Sequence, residues 1–524
     1  MKKLDSFSPK LPSLVQDYLD GKETVSDLFE KFPDYQTLIA SHDQIKSRSL
    51  DRETLVKVLL SQSKGSDYST ELTTSQINNL KEESVSSITT GHQLCVYGGP
   101  MFFLYKILSV ISLSEKLKVD GKSCVPIYWM ASEDHDFEEI NHIFVKGEKV
   151  NWSTSQSGPV GRMHLKELDV FKQRVADILK DDYRYDKPLQ ELDQIFGAEK
   201  TLSEAIRDFV YWIFADSGVV VIDADDKDLK SLFAPYLNQE LEYAFSQTAI
   251  ENNNRRLSTL GYSAQVAGRE INLFWMKDGY RERIIKTEFG FETADGLNQW
   301  AKEELLALVK TNPECFSPNV ILRPLYQEVM LPNLAYVGGP GETSYWLQLK
   351  GVFDSANVQM PMVLLRDMFT VVDTLAVKNK KQLDVEWVDL FDNQDELVKR
   401  LLRKDGSHED IVAKRQEILQ LSFIEMIHEL SHFDESLRQN AEAEMVRLNN
   451  KLESLKKKVL RSEKMKNEVL VGRVDHLYEF AFPNGSPQER ILNGLGLWPN
   501  PDSILELLPH CNPFEAKIKV VEQT

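Results

Sequence analysis

Ser86-Ser87-Ile88-Thr89-Thr90, then Gly91-His92-Gln93-Leu94-Cys95-Val96-Tyr97-Gly98-Gly99-Pro100, then the apolar run from Met101 to Leu113 decide the fold. The first five residues read as a strand and the next ten as a glycine-punctuated loop. Leu104, Ile107, Leu108 and Ile111 recur at helical spacing, so a helix opens near Met101 and packs one face onto a flat neighbour. After a Gly121 turn, a second apolar run, Cys124 to Met130, delivers the chain into Ser132-Glu133-Asp134-His135-Asp136-Phe137-Glu138-Glu139. This is a β-α-β unit ending in a charged loop. Such crossovers are nearly always right-handed, and ligands sit beyond the carboxyl ends of parallel strands, where both polar loops emerge.

Working outward, Gly218-Val219-Val220-Val221-Ile222-Asp223-Ala224-Asp225-Asp226 reads as a central parallel strand with acids at its carboxyl end. Further on, Asn333-Leu334-Ala335-Tyr336-Val337 leads into Gly338-Gly339-Pro340-Gly341-Glu342, a helix from Thr343 to Phe353 and a strand Pro361 to Leu365 capped by Arg366-Asp367. A Gly-Gly-Pro turn, a helix and a proline-led strand thus occur twice, and two such half-units supply both sides of a crevice in an open doubly wound sheet. Between them lie a polar and helical excursion that includes Leu202 to Phe214, and a mixed one with short strands around Ala264 to Val266 and Ile271 to Met276 and a helix near Leu297 to Val309. The resulting partition is an N-terminal helical subdomain over 1–82, core over 83–145, 217–254 and 318–373, insertions over 146–216 and 255–317, and a C-terminal helical region over 374–524.

Within that last region, residues 408 to 478 contain no proline and only Gly472, and are rich in helix formers. Leu419, Phe423, Met426, Leu430, Phe433 and Leu437 keep four-three spacing, as do Leu448, Leu452, Leu455 and Val459. Steps of four through Ala441 and Met445 join the two seams like a stutter between heptad frames, so a coiled coil is expected.

At 524 residues the chain exceeds one compact core. A formal charge of -19 disfavours nucleic acid and anionic membrane surfaces as partners. The four cysteines are scattered, with no CxxC pair, which fits a reducing compartment. No apolar leader follows Met1, and the Met101 to Leu113 run is too short to span a bilayer. A soluble, cytoplasmic protein is expected.

Glu133-Asp134-His135-Asp136 is the sharpest local feature, because carboxylates and an imidazole gathered at a strand exit acquire pKa values suited to proton transfer. Two other readings of the loop stand beside it. Asp136 with Glu139 fits a capping box, and His135, Glu139 and His142 lie at spacings that place three metal ligands on one helical face. In the first loop, His92-Gln93 and the Gly98-Gly99 backbone offer an anion site at a helix start, against the plainer reading of a tight turn. The loop is neither a Walker A motif nor GxGxxG. Cys95, between Leu94 and Val96, reads as a buried small residue. Lys464-Met465-Lys466 falls inside the coiled coil, away from any strand exit, and is set aside.

Taken together, Thr90-Gly91-His92-Gln93, Tyr97-Gly98-Gly99-Pro100, Glu133 to Ile140, Leu322-Arg323-Pro324 and Tyr336-Val337-Gly338-Gly339-Pro340-Gly341-Glu342 resemble the bacillithiol biosynthesis cysteine-adding enzyme family. The resemblance runs over essentially the whole chain, including Gly261 to Val266, the coiled coil and Gln488-Glu489-Arg490. It implies an α/β fold with a Rossmann-like, nucleotidyltransferase-type core, connecting-peptide insertions and a C-terminal α-helical coiled coil that pairs two chains. It also implies a ligase that joins cysteine to the amino group of glucosaminyl malate. An adenine nucleotide, ATP or ADP, is the implied cofactor, carried loosely to Gln488 and Arg490; no metal ligand set is assigned. The His-x-Gly-His and Lys-Met-Ser-Lys-Ser loops of class I synthetases are not reproduced, since only His92 stands in the first and the second is absent.

On this resemblance, the expected catalytic residues are His92, Asp134, His135 and Asp136. His92 and the Gly98-Gly99 backbone hold an acyl phosphate or the cysteine carboxylate, and the Asp134-His135-Asp136 loop orients or deprotonates the amine. Arg323 neutralises the malate carboxylates, and Glu342 pairs the α-ammonium of cysteine. Gln93, Tyr97, Glu133, Asn141, Gly338, Gly339 and Tyr345 complete the expected substrate-binding set. The rival class is a non-catalytic scaffold or nucleotide-binding protein that assembles pathway enzymes through the coiled coil. A tRNA-directed transferase is weaker, because no basic tract is present.

Overall fold

Five parallel strands carry the site. In the computed structural model, which describes residues 1–404, 408–498 and 500–523, their order across the sheet is Met362–Leu365, Asn333–Gly338, Ser86–His92, Cys124–Met130, Val220–Asp223. Every neighbouring pair is parallel. The chain builds one flank outward from Ser86–His92, then returns to its other side, so the strand order reverses between Ser86–His92 and Asn333–Gly338. Both Gly-Gly-Pro turns leave from this switch point, where an open α/β sheet forms its crevice.

The two central strands, Ser86–His92 and Cys124–Met130, are buried along their whole length, as expected of strands covered on both faces. The helix between them runs from Phe102 to Val119. Leu55, Val56 and Leu59 of helix Arg52–Lys64 and Ile77 of helix Glu71–Asn79 enter one core with Val125, Ile127, Val220 and Ile222.

The described residues fall into two compact units, one of 6–369 with 489–519 and the other of 1–5, 370–488 and the chain from 520 onward. This departs from a single C-terminal region over 374–524. Residues 489–519 return to the α/β unit because Asn493 Nδ2 donates to the carbonyls of Tyr97 and Gly99 at 2.8 and 2.7 Å, closing backbone acceptors that the glycine loop cannot satisfy alone.

In the second insertion an antiparallel sheet runs Gln299–Trp300, Gly290–Thr293, Tyr280–Thr287, Leu273–Lys277, Phe316–Pro318. Ala264 to Val266 is not a strand. Oε1 of Gln348 accepts from the backbone N–H of Gln265 and Val266 at 2.7 and 3.2 Å, so a side chain replaces the ladder.

In the other unit the coiled-coil segment is two helices, His408–Phe433 and Glu435–Lys466, joined at Asp434 and packed antiparallel on one another. Gln416 meets Glu453 at 3.1 Å and Gln420 meets Asn449 at 3.0 Å, which fixes the register of the hairpin. The single seam expected through Ala441 is thereby folded in half. Phe423 and Leu430 face the partner helix and are half-buried, while Leu419, Met426 and Phe433 point outward. Residues 405–407, at the edge of the expected coiled coil, and residues 499 and 524 lie outside the described residues.

Candidate functional site

Two loops meet above the central strands. Gln93, the first residue past Ser86–His92, donates through Nε2 to Asp134 Oδ2 at 2.9 Å and Glu139 Oε2 at 2.6 Å. The Ala131 N–H donates to the His92 carbonyl at 3.0 Å. Beside this junction lies a cavity of about 410 Å³, bounded by Met130 to His135, Phe274, Arg281 and Arg323. Its size is that of a small-molecule site.

Three arginines give the cavity its cationic wall. Arg323 opens helix Arg323–Met330 and is held by Gln327 at 3.1 Å and over the Tyr336 ring at 5.7 Å. Its buried Nη2 has no hydrogen-bond partner among the described residues, and Tyr345 lies beside it. Arg281 comes from the insertion strand Tyr280–Thr287, stacks on Phe274 at 3.8 Å and reaches His135 Nδ1 at 2.6 Å. Arg269 lines the rim.

Desolvation and then the Arg281 charge hold the His135 imidazole below its ordinary pKa. Asp134 Oδ1 accepts from the His135 N–H at 2.7 Å. Behind the cavity, Glu133 pairs with the buried Lys230, and Lys230 with Asp225 at 3.0 Å. Arg162 closes the chain on Asp225 at 2.7 and 3.0 Å. Burial raises the Glu133 carboxyl even against Lys230. Glu133 therefore braces the loop from below.

At the switch point, Lys106 donates to the Gly91 carbonyl at 2.8 Å and pairs with Glu342. Glu342 also accepts from Tyr336 at 2.7 Å and from the Gly339 N–H at 2.9 Å. Burial works to raise its carboxyl, but Lys106 and these donors hold it below the ordinary value. Gly338 ends its strand against Tyr336 and Glu342, and a Cβ added at Gly339 would lie 3.8 Å from Arg366 Nε. Arg366 forms a buried fork with Glu489 at 2.8 and 2.6 Å. His92 packs between Phe102 and Phe103, where burial and then Lys106 push its pKa down to about 3. Its Nδ1 lies 2.8 Å from the Gln93 carbonyl, which can only accept, so Nδ1 carries the proton and Nε2 offers a lone pair.

Other expected site residues lie elsewhere. Tyr97, at φ 51°, packs on Phe171 and Phe196. Gly98 is pressed against Phe209, and Gly99 against Cys95. Asp136 is exposed and makes no side-chain cap, and the Glu139 carboxylate accepts from Gln93 instead of completing a capping box. Asn141 is buried beside His142, at 3.1 Å. The helix ends at Ile140 and His142 begins a strand, which separates His135 from His142; among the described residues no group of three ligating side chains forms a metal centre.

Gln488 does not fit a nucleotide contact. Its amide accepts from the Val371 N–H at 2.8 Å and donates to the Val371 and Phe480 carbonyls at 2.7 and 3.0 Å, which engages both of its N–H donors. Arg490 is exposed. Sequence reasoning missed Arg281, Lys106, Lys230 and Arg366. Two of them left a signal: Lys106 is the one charge interrupting an apolar run, and Arg366 caps the strand from Pro361 to Leu365.

Residues 2–367 match the family model of the N-terminal Rossmann-like domain of bacillithiol biosynthesis BshC, and residues 369–523 match that of its C-terminal coiled-coil domain. Similar proteins carrying the name "Putative cysteine ligase BshC" include one from Flavobacterium johnsoniae, 38% identical over 92% of this chain and 91% of its own. One from Christiangramia forsetii is 36% identical over 97% and 96%, and one from Bacillus mycoides 27% over 94% of each.

Proposed function

This chain belongs to the BshC family of bacillithiol biosynthesis, and from that premise we propose that it is a ligase forming an amide between the cysteine carboxyl and the amino group of glucosaminyl malate. The observation that carries this reading is the cavity at the strand ends, where the half-buried Arg323 keeps a buried Nη2 without a hydrogen-bond partner among the described residues, on the same lining as the acidic Asp134 loop. That pairing suits a substrate bearing both carboxylates and an amine. Arg323 and Arg281 hold carboxylate oxygens, and Asp134 binds the ammonium and takes its proton. The nitrogen lone pair then attacks the acyl carbon; as the C–N bond forms, the bond from that carbon to the oxygen of the activating group breaks, and that group departs with the bond's electron pair and takes the second nitrogen proton.

Amide formation in water needs an activated acyl group, and ATP is the proposed source. Because both amide donors of Gln488 are engaged by backbone carbonyls, no step is assigned to a nucleotide at that segment. Incubating the full-length protein with cysteine, glucosaminyl malate and ATP, and following the thiol product by mass spectrometry, tests the reading. Product that depends on ATP and falls at least tenfold in Asp134→Asn and Arg323→Met supports it.

A non-catalytic scaffold is favoured by one observation, the filling of the Tyr97 to Gly99 loop by internal packing. Absence of product with all three reactants present supports that alternative. A homodimer through the coiled coil belongs to either reading.

A further inference from the structure

A second cavity, of about 780 Å³, opens at the carboxyl end of the edge strand Val220–Asp223. One thickness of backbone divides it from the cleft. The Val160 N–H donates to the Asp134 carbonyl at 2.7 Å and the Gly161 N–H to the Ser132 carbonyl at 2.9 Å. At Gly161 a Cβ would lie 2.5 Å from the Ser132 Cβ and 2.4 Å from Ser203 Oγ, so only glycine lets this wall close.

Arg207 projects into the cavity from helix Leu202–Phe214. It is 8% exposed, and its Nε has no hydrogen-bond partner among the described residues. The nearest carboxylate oxygen, Asp223 Oδ2, stands 3.9 Å from Nη2, beyond a hydrogen bond. Asp223 turns its other oxygen, Oδ1, to Ser132 Oγ and to the Asp225 N–H. A buried donor and an acceptor therefore face one gap without satisfying each other, an arrangement that is costly unless something bridges it.

The charges around the gap select the bridging chemistry. Arg162, the other arginine of the lining, already has its charge paired by Asp225 and by Asp278 at 2.8 Å. An anion drawn to Arg207 would meet the Asp223 carboxylate, and a cation drawn to Asp223 would meet the guanidinium. Neutral hydroxyls suit both, since each can donate to Asp223 Oδ2 and accept from Arg207. Gln62, Ser157, Thr201 and Ser203 extend the polar lining.

We propose that this cavity is a second binding site, separate from the cleft, for a polyhydroxylated ligand of the hexose class, with a vicinal diol bridging Arg207 and Asp223. The site stands independently of the ligase reading.

Two methionines report on the two cavities in the unaltered protein, because Met163 lines the second and Met130 the cleft. Methyl α-D-glucopyranoside is titrated into full-length protein carrying 13C-labelled methionine methyls. The expected result is a saturable shift of Met163 with Met130 unmoved, and an affinity about tenfold weaker in both Arg207→Leu and Asp223→Asn, the loss of one charge-assisted hydrogen bond. A Met163 signal that does not move, a shift confined to Met130, or tighter binding of inorganic phosphate than of the glucoside at Met163 overturns the proposal. The wild-type titration decides the matter should either variant fail to fold.

Discussion

The guanidinium of Arg281 lies 2.6 Å from Nδ1 of His135. A guanidinium only donates, so Nδ1 must present its lone pair and the ring proton sits on Nε2. His135 therefore enters the cleft as a neutral donor, and the side chain that fixes its tautomer comes from another element, 146 residues away in the chain.

Replacing Arg281 with glutamine is expected to raise the His135 pKa. Burial and Arg281 hold it down, while Asp134, Asp136 and Glu282 act to raise it. With the cation gone one of the two depressing causes is removed, and 15N NMR of the ring should show protonation beginning at higher pH than in the wild type. An unchanged titration would mean that burial alone sets the value.

His92 makes stability depend on acid. Its folded-state pKa of about 3 lies below the ordinary 6.5, so the unfolded chain binds a proton first as pH falls. This contribution is fully present above 6.5 and is lost progressively as pH falls from 6.5 towards 3. Its slope approaches about 1.4 kcal/mol per pH unit within that window. Urea midpoints measured across the window should show a shallower pH dependence in His92→Gln than in wild type.

Gly98→Ala should destabilise the α/β unit by a few kcal/mol, roughly the cost of a left-handed backbone added to overpacking. The backbone there has φ 78°, and the new Cβ would stand 2.3 Å from Phe209 Cζ. At Gly341 a Cβ meets nothing within 4 Å, so Gly341→Ala in helix Pro340–Gln348 should be neutral or stabilising by up to about 1 kcal/mol. Thermal melts of the two variants compare these directly.

The outward stripe Leu419, Met426 and Phe433 has the seven-residue spacing of a helix-pairing seam that the hairpin does not cover. The double variant Leu419→Lys, Met426→Lys is expected to keep wild-type helical content and to lower the sedimentation coefficient to that of one chain. Wild-type sedimentation as a single chain would remove the pairing role from this stripe.

Much of the architecture was legible because it rests on local rules. Glycine before Val219 to Ile222, the apolar run from Cys124 to Met130 and the helical spacing of Leu104, Ile107, Leu108 and Ile111 each act over a few residues, and the elements appear where those signals stand. Helical spacing at Leu419 and Phe423 was equally readable, but not which residue faces inward, because a seam acquires its partner only when Asp434 turns the chain.

The site divides along the same line. The sequence by itself determined that Gln93 and Asp134 emerge from neighbouring strand ends, since a β-α-β crossover leaves those exits side by side whatever else the chain does. Only the tertiary structure decided that Arg281 sets the state of His135, that Lys106 and Tyr336 occupy Glu342, and that Asn493 holds the glycine loop. Apart from Tyr336 with Glu342, those contacts join residues far apart in the chain, and a side chain's charge state depends on burial and on the neighbours that folding brings to it, neither of which is written in its own segment.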